Sequence, residues 1–150
     1  MSGKKGCKSL KKIVSKFEII GIDTNIFIYY LNRNSQYHQV VENIFILFAK
    51  QKYQILTSTL TLTELLSFKT TEAASYNLEK EFLSIFQFLI LDVSRGIASQ
   101  AARIRRKYDF HLVDSIQLAT ALEGKAKAFI TNDKRLKKFK ELKVLLVSEL

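Results

Sequence analysis

Cysteine, histidine, glycine and acidic residues are all scarce in this chain of 150 residues, and proline is absent. The single cysteine, Cys7, excludes an intramolecular disulfide, and with only His38 and His111 beside it there is no basis for a Cys/His zinc site. Any metal must therefore be held by oxygen. The five glycines (Gly3, Gly6, Gly21, Gly96, Gly124) form neither a P-loop nor a dinucleotide-binding turn. The longest apolar stretch, Phe82 to Leu91, is interrupted by Ser84 and Gln87 and falls well short of the roughly 20 residues of a membrane span. The opening MSGKKGCKSLKKIVSK lacks the apolar core of roughly 7 to 15 residues that marks a secretory signal, so a cytoplasmic protein without membrane association is the default expectation.

What is abundant is apolar residues, at 47%, and positive charge, with 24 lysines and arginines against 14 acids. The length suits one domain with a real core. Formal net charge is +10, and six lysines (Lys4, Lys5, Lys8, Lys11, Lys12, Lys16) precede the first acid, leaving +4 for the remainder once they are subtracted. Residues 1–16 thus read as a basic N-terminal arm, disordered in part, ahead of a domain over residues 17–150. Such an arm suits either a solubilising tail or a polyanionic partner such as nucleic acid.

Within the domain, short apolar runs alternate with segments of helical periodicity. Phe17 to Ile22 reads as a buried strand that ends on Asp23, and Thr24 and Asn25 supply helix-starting side chains. A helix follows from Tyr37 to Gln51, and His38 near its start reads as a solvated surface residue. Strands are expected at Tyr53 to Thr57, Phe88 to Leu91, Ala126 to Thr131 and Val144 to Val147. Between them fall helices around Leu62 to Leu66, from residue 72 to about 87, from Ser94 to Lys107, and in HLVDSIQLATALEG, where Gly124 is the stop. The alternation predicts an α/β domain with a mostly parallel sheet covered on both faces. Arg103, Arg105, Arg106 and Lys107 crowd one helix end, where a dipole role and a nucleic-acid-facing role both fit.

Asp23 and Asp133 each follow a strand, while Glu64 and Asp114 each fall near the start of a helix, so in a parallel sheet all four lie along its carboxyl edge. Each has a capping explanation taken singly; Thr61 with Glu64 matches a capping box, and Asp92 reads as a cap before the Ser94 helix. Together they would repel one another, because like charges within about 4 to 6 Å disfavour ionisation. A divalent cation that prefers oxygen, Mg²⁺ or Mn²⁺, relieves that repulsion, and it can activate water against a phosphate. A haloacid-dehalogenase-like phosphatase needs a second aspartate where Asn25 stands, and Ser115 with His111 beside Asp114 makes no triad.

Ile19-Ile20-Gly21-Ile22-Asp23-Thr24-Asn25, Glu64 in TLTELL, Asp114 in HLVDSIQLATAL and Thr131-Asn132-Asp133 resemble, in order and spacing, the four acidic motifs of PIN-domain nucleases. The resemblance spans about residues 17 to 147. It implies a Rossmann-like five-stranded sheet of order 3-2-1-4-5 and Mg²⁺- or Mn²⁺-dependent endoribonuclease activity. Asp23, Glu64, Asp114 and Asp133 would hold the metal, with Asn25, Thr131 and Asn132 supporting them by hydrogen bonds. Lys134 and Arg135 join the basic helix end as nucleic-acid contacts. In that strand order Asp92 lies remote from the site. The compact size looks most like toxins of VapC type, which are commonly dimeric and neutralised by a cognate antitoxin. The lysine-rich start is foreign to that pattern, which leaves two other readings: a nuclease of RNA processing or decay, and a non-catalytic RNA-binding protein of the same fold.

Overall fold

Four residues, β1 (Ile19–Ile22), form the strand on which both faces of the molecule are built. The computed structural model describes residues 14–51, 53–85 and 88–150; the first 13 residues of the expected basic arm lie outside them. Of the last three arm residues, Val14 is fully buried in the core. The remaining strands are β2 (Gln54–Ser58), β3 (Phe88–Leu91), β4 (Ala128–Thr131) and β5 (Lys143–Leu146). All pair in parallel, in the order β3-β2-β1-β4-β5. The helices are α1 (Thr24–Leu31), α2 (His38–Gln51), α3 (Leu60–Leu66), α4 (Glu72–Leu83), α5 (Arg95–Tyr108) and α6 (Leu112–Glu123). Short 3-10 turns cover Lys134–Lys138 and Val147–Glu149.

Because successive strand residues point to opposite faces, the sheet divides its apolar residues between two cores. Ile20, Ile22, Ile55, Ala128 and Ile130 face one side, with Val41, Ile44 and Phe48 of α2. There Phe27 of α1 meets Phe82 and Phe88 at ring-centroid distances of 5.0 and 5.5 Å. Leu56 and Phe129 face the other side, against Ile97, Ala101 and Ile104 of α5 and Leu118, Ala119 and Ala121 of α6.

Helix α6 lies close on the sheet, as its small residues predict. A Cβ placed on Gly21 would come within 2.6 Å of Ala121 Cβ and 2.8 Å of Phe129 Cδ2. At Gly124 it would meet Leu56 Cδ2 at 2.5 Å. Gly124 therefore ends α6 with an ordinary φ of −75°, and its missing side chain serves packing; the left-handed residue is Lys125, at φ 60°. Ser94 caps α5, accepting from Ile97 N at 3.2 Å, so the capping role expected of Asp92 falls to Ser94, and Asp92 is exposed at the β3 edge.

Candidate active site

Asp23 follows the last residue of β1, where the strand pairs with β2 on one side and β4 on the other. The residue is 7% exposed. One oxygen accepts from Thr24 N at 2.8 Å; the other accepts from Thr131 Oγ1 at 2.6 Å and from Asn25 Nδ2 at 3.3 Å. The Thr131 hydroxyl also accepts from Asp133 N at 3.0 Å, which links the ends of β1 and β4 and fixes where Asp133 leaves the sheet. Asp133 then caps the following turn, accepting from Arg135 N at 2.9 Å.

Glu64 lies one turn into α3 and not in its first turn, and it does not join the expected capping box. Thr61 is fully buried inside the helix, and the Glu64 carboxylate instead accepts from the Thr24 hydroxyl. Asp114 falls in the first turn of α6, as expected. All four acids line one open cleft of about 450 Å³, whose other walls include Asn25, Ile28 and Phe68.

The electrostatics of the cleft follow from that crowding. Burial pushes the Asp23 carboxyl up to about 6, the charges of Asp114 and Glu64 push the same way, and the Thr131 hydrogen bond opposes them. Burial and the neighbouring Asp133 likewise raise Asp114. Asp133 is lowered by hydrogen bonds from Arg135, whose guanidinium grips both its oxygens and reaches Asp114 Oδ2 at 3.5 Å.

These contacts settle the placement of the other expected residues. Asn25 and Thr131 bond Asp23, whereas Asn132 turns away and donates to the Tyr29 hydroxyl at 3.2 Å. Arg135 contacts the acids themselves, and Lys134 is exposed beside it. Arg103, Arg105, Arg106 and Lys107 are exposed on α5 and none lines the cleft; Lys107 pairs with Glu141 at 2.7 Å, just before β5 begins. His38 is half-buried, with Nδ1 3.3 Å from Tyr29 O and its ring stacked on Tyr30, so it has the fixed partners that a solvated residue would lack.

Beneath the acids lies a buried polar network that periodicity alone does not reveal. Gln117 Nε2 donates to Thr24 Oγ1 at 3.2 Å and to Thr61 Oγ1 at 2.9 Å. Thr57 donates to Ile22 O at 3.1 Å and stands 2.6 Å from Thr61. With the Thr57 proton on Ile22 O, Thr61 donates to Thr57 and Thr24 is left to donate to Glu64. One consistent set of proton positions thus runs from the β1 backbone to a cleft carboxylate.

An all-oxygen donor set suits a hard divalent cation. As they stand, no three of the acidic, His or Cys side chains among the described residues are gathered closely enough to hold one; Thr24 bonds Glu64, and Arg135 pairs with both Asp133 and Asp114. Asn25 Oδ1 is buried beside Asp23 without a hydrogen-bond partner, an acceptor that a cation or its bound water would satisfy. In donor type these acids and Asn25 fit such an ion, and Arg135 is the cation that now pairs with two of them.

Solved structures of similar fold include a chain of VapBC2 from Rickettsia felis bound to a promoter DNA fragment, at TM-score 0.70 and 22% identity, covering 85% of this chain and 98% of that one. A chain of a toxin-antitoxin complex from Klebsiella pneumoniae gives TM-score 0.61 and 24% identity, covering 86% and 97%. FitAcB from Neisseria gonorrhoeae gives 0.64 and 19%, covering 88% and 99%. No curated protein sequence matches significantly. The family model of the PIN domain matches residues 20–142, a span that contains all four cleft acids and the strands from Ile20 of β1 through β4, and that ends just before β5. PIN-domain nucleases are hydrolases that generally use divalent metal ions. With its sheet order, its acidic cleft and this match in agreement, the chain belongs to the PIN-domain family.

Proposed function

We propose that the protein is a Mg²⁺- or Mn²⁺-dependent endoribonuclease, the toxin of a type II toxin–antitoxin pair. The observation that carries this reading is the convergence of Asp23, Glu64, Asp114 and Asp133, from four separate elements, on one cleft in a protein of net charge +10. In this reading the four carboxylates hold the metal and position the attacking water. The bound ion would supply Lewis acidity toward the phosphate and lower the pKa of that water. Thr131 keeps the Asp23 carboxylate ionised, and Thr24, oriented by Gln117, aims Glu64 into the cleft. Hydrolysis joins the water oxygen to phosphorus and breaks the bond from phosphorus to the leaving ribose oxygen.

The toxin assignment, with a cognate antitoxin, draws support from the compact size and from the toxin-antitoxin complexes among the similar structures; a cytoplasmic location and a homodimer are parts of the same proposal. No helix among the described residues is long and apolar enough to cross a membrane. The test is cleavage of single-stranded RNA by purified protein with Mg²⁺ or Mn²⁺, with EDTA, and with Asp23→Asn. Activity that depends on metal and is lost in the variant is expected; activity surviving both EDTA and the substitution would sink the mechanism.

A further inference from the structure

At the end of the sheet opposite the acids, the chain builds a second hollow, of about 520 Å³, between the end of α6 and the starts of β4 and β5. Four of its lining residues are lysines: Lys125, Lys127, Lys140 and Lys143. The strands hold two of them together, since Lys143 N donates to Lys127 O at 3.3 Å. A third, Lys125, takes the left-handed conformation at φ 60°, where glycine is the easier choice.

Four exposed lysines around one hollow give it a local positive field, which favours anions. The one acid in its lining is Glu141, and that carboxylate is already held by Lys107 at 2.7 Å and by the Tyr108 hydroxyl at 2.5 Å. None of the four lysines pairs with a carboxylate among the described residues. Through Lys107 the last turn of α5, which carries Arg105 and Arg106, ends at the rim and adds to the positive field.

We infer that this hollow binds the phosphodiester backbone of single-stranded nucleic acid at a site separate from the acidic cleft. The two sites lie beyond opposite ends of the strands, separated by at least the roughly 13 Å that four residues of sheet span. A strand of several nucleotides is therefore needed to reach both. The acidic cleft repels phosphates until its charge is neutralised, whereas the basic hollow attracts them without help, so it supplies the first grip on a long substrate. The proposal rests on the nuclease reading only for the choice of RNA as the first probe.

The experiment uses the full chain in EDTA, where binding is measured without cleavage. Fluorescence anisotropy follows a six-nucleotide and a thirty-nucleotide single-stranded RNA over a salt series. The Lys125→Gln/Lys127→Gln/Lys143→Gln variant is expected to bind the long RNA at least about tenfold more weakly, with a salt slope about 2 units shallower, since each phosphate contact on a single strand contributes about 0.7. The six-nucleotide RNA, which the hollow alone can hold while the cleft lacks metal, should weaken as well. Replacing Lys50, Lys69 and Lys80, exposed elsewhere, makes the same change in net charge and should leave long-RNA binding unaltered. Equal losses in the two triple variants, or no loss at all, would overturn the site. Single-stranded DNA of equal length competing as well as RNA supports recognition of the backbone. Polyglutamate competing as well as either would instead mark an acidic-protein surface and overturn the proposal. Because metal is absent throughout, failure of the nuclease mechanism and failure of this site are separately visible.

Discussion

Thr131, the last residue of β4, donates its hydroxyl proton across 2.6 Å to Asp23, at the end of β1. This is the hydrogen bond that opposes burial and the two nearby carboxylates at Asp23. Hydrogen bonds to charged groups contribute about 1.5 to 3 kcal/mol. Thr131→Val keeps the shape and removes the donor, so at neutral pH the variant should lose stability of about that size in urea denaturation. The acid limb of its pH–activity profile should also move to higher pH.

The Asp23 carboxyl, at about 6 in the folded protein against 3.8 for an ordinary aspartate, gives a signed pH dependence. Between those values the folded state binds the extra proton, so the contribution of Asp23 to stability is fully present below 3.8 and is lost as pH rises through about 6. The shift corresponds to about 3 kcal/mol. In metal-free buffer the stability of the wild type relative to Asp23→Asn should fall by about this amount across the window. A difference that does not vary with pH would contradict the burial argument.

Arg135 occupies the acids that a metal would need. Arg135→Gln should therefore bind Mn²⁺ more tightly than the wild type, by about fivefold or more, the lower range of coupling between competing ligands. Arg135 is exposed and its backbone cap on Asp133 does not involve its side chain, so the variant should fold normally. Titration calorimetry reads the affinity directly, and an unchanged or weaker affinity would contradict the competition.

Metal should also stabilise the fold by linkage, by about 2.7 kcal/mol at a hundred times the dissociation constant. Thermal melts with and without millimolar Mn²⁺ should show an upward shift that shrinks in Asp114→Asn. A wild-type midpoint indifferent to metal would argue against a shared carboxylate site.

Gly21 sets the depth to which α6 sinks on β1. Gly21→Ala places a methyl group 2.6 Å from Ala121 Cβ and 2.8 Å from Phe129, so it should cost about 1 to 3 kcal/mol as an overpacked core. Adding Ala121→Gly should restore part of the loss, with Phe129 limiting the rest. Because α6 also carries Asp114, the single variant should lose metal affinity as well as stability.

The acids and the sheet were legible because each uses a signal that survives in one dimension. A strand ending abruptly on Asp23 or Asp133 is visible as a change of composition, and the spacing of the four motifs supplied the strand order by resemblance. The polar network was not legible in that way. Gln117 sits within SIQLATAL, where a lone amide looks like an exposed position, and its donors reach Thr24 and Thr61 across 93 and 56 residues of chain. A signal was nonetheless present: Asp114, Gln117 and Ala121 recur at three and four residues, which puts the amide on the stripe facing the sheet. Local rules failed where a distant partner outbid a near one. Glu64 prefers the Thr24 hydroxyl to a capping box, and Asn132 prefers Tyr29 to the acids.

That same stripe makes α6 a ruler for the molecule. Ala121 and Gly124 register the helix against β1 and β2 at one end, and Gln117 and Asp114 deliver the network and a carboxylate at the other. Sliding the helix by one residue turns each side chain by about 100°. An insertion or deletion within α6 would thus misplace core and cleft in a single step, whereas one in the Asn32–Asn34 loop would disturb neither. The tolerance of the chain to length changes should therefore be lowest along these 12 helical residues.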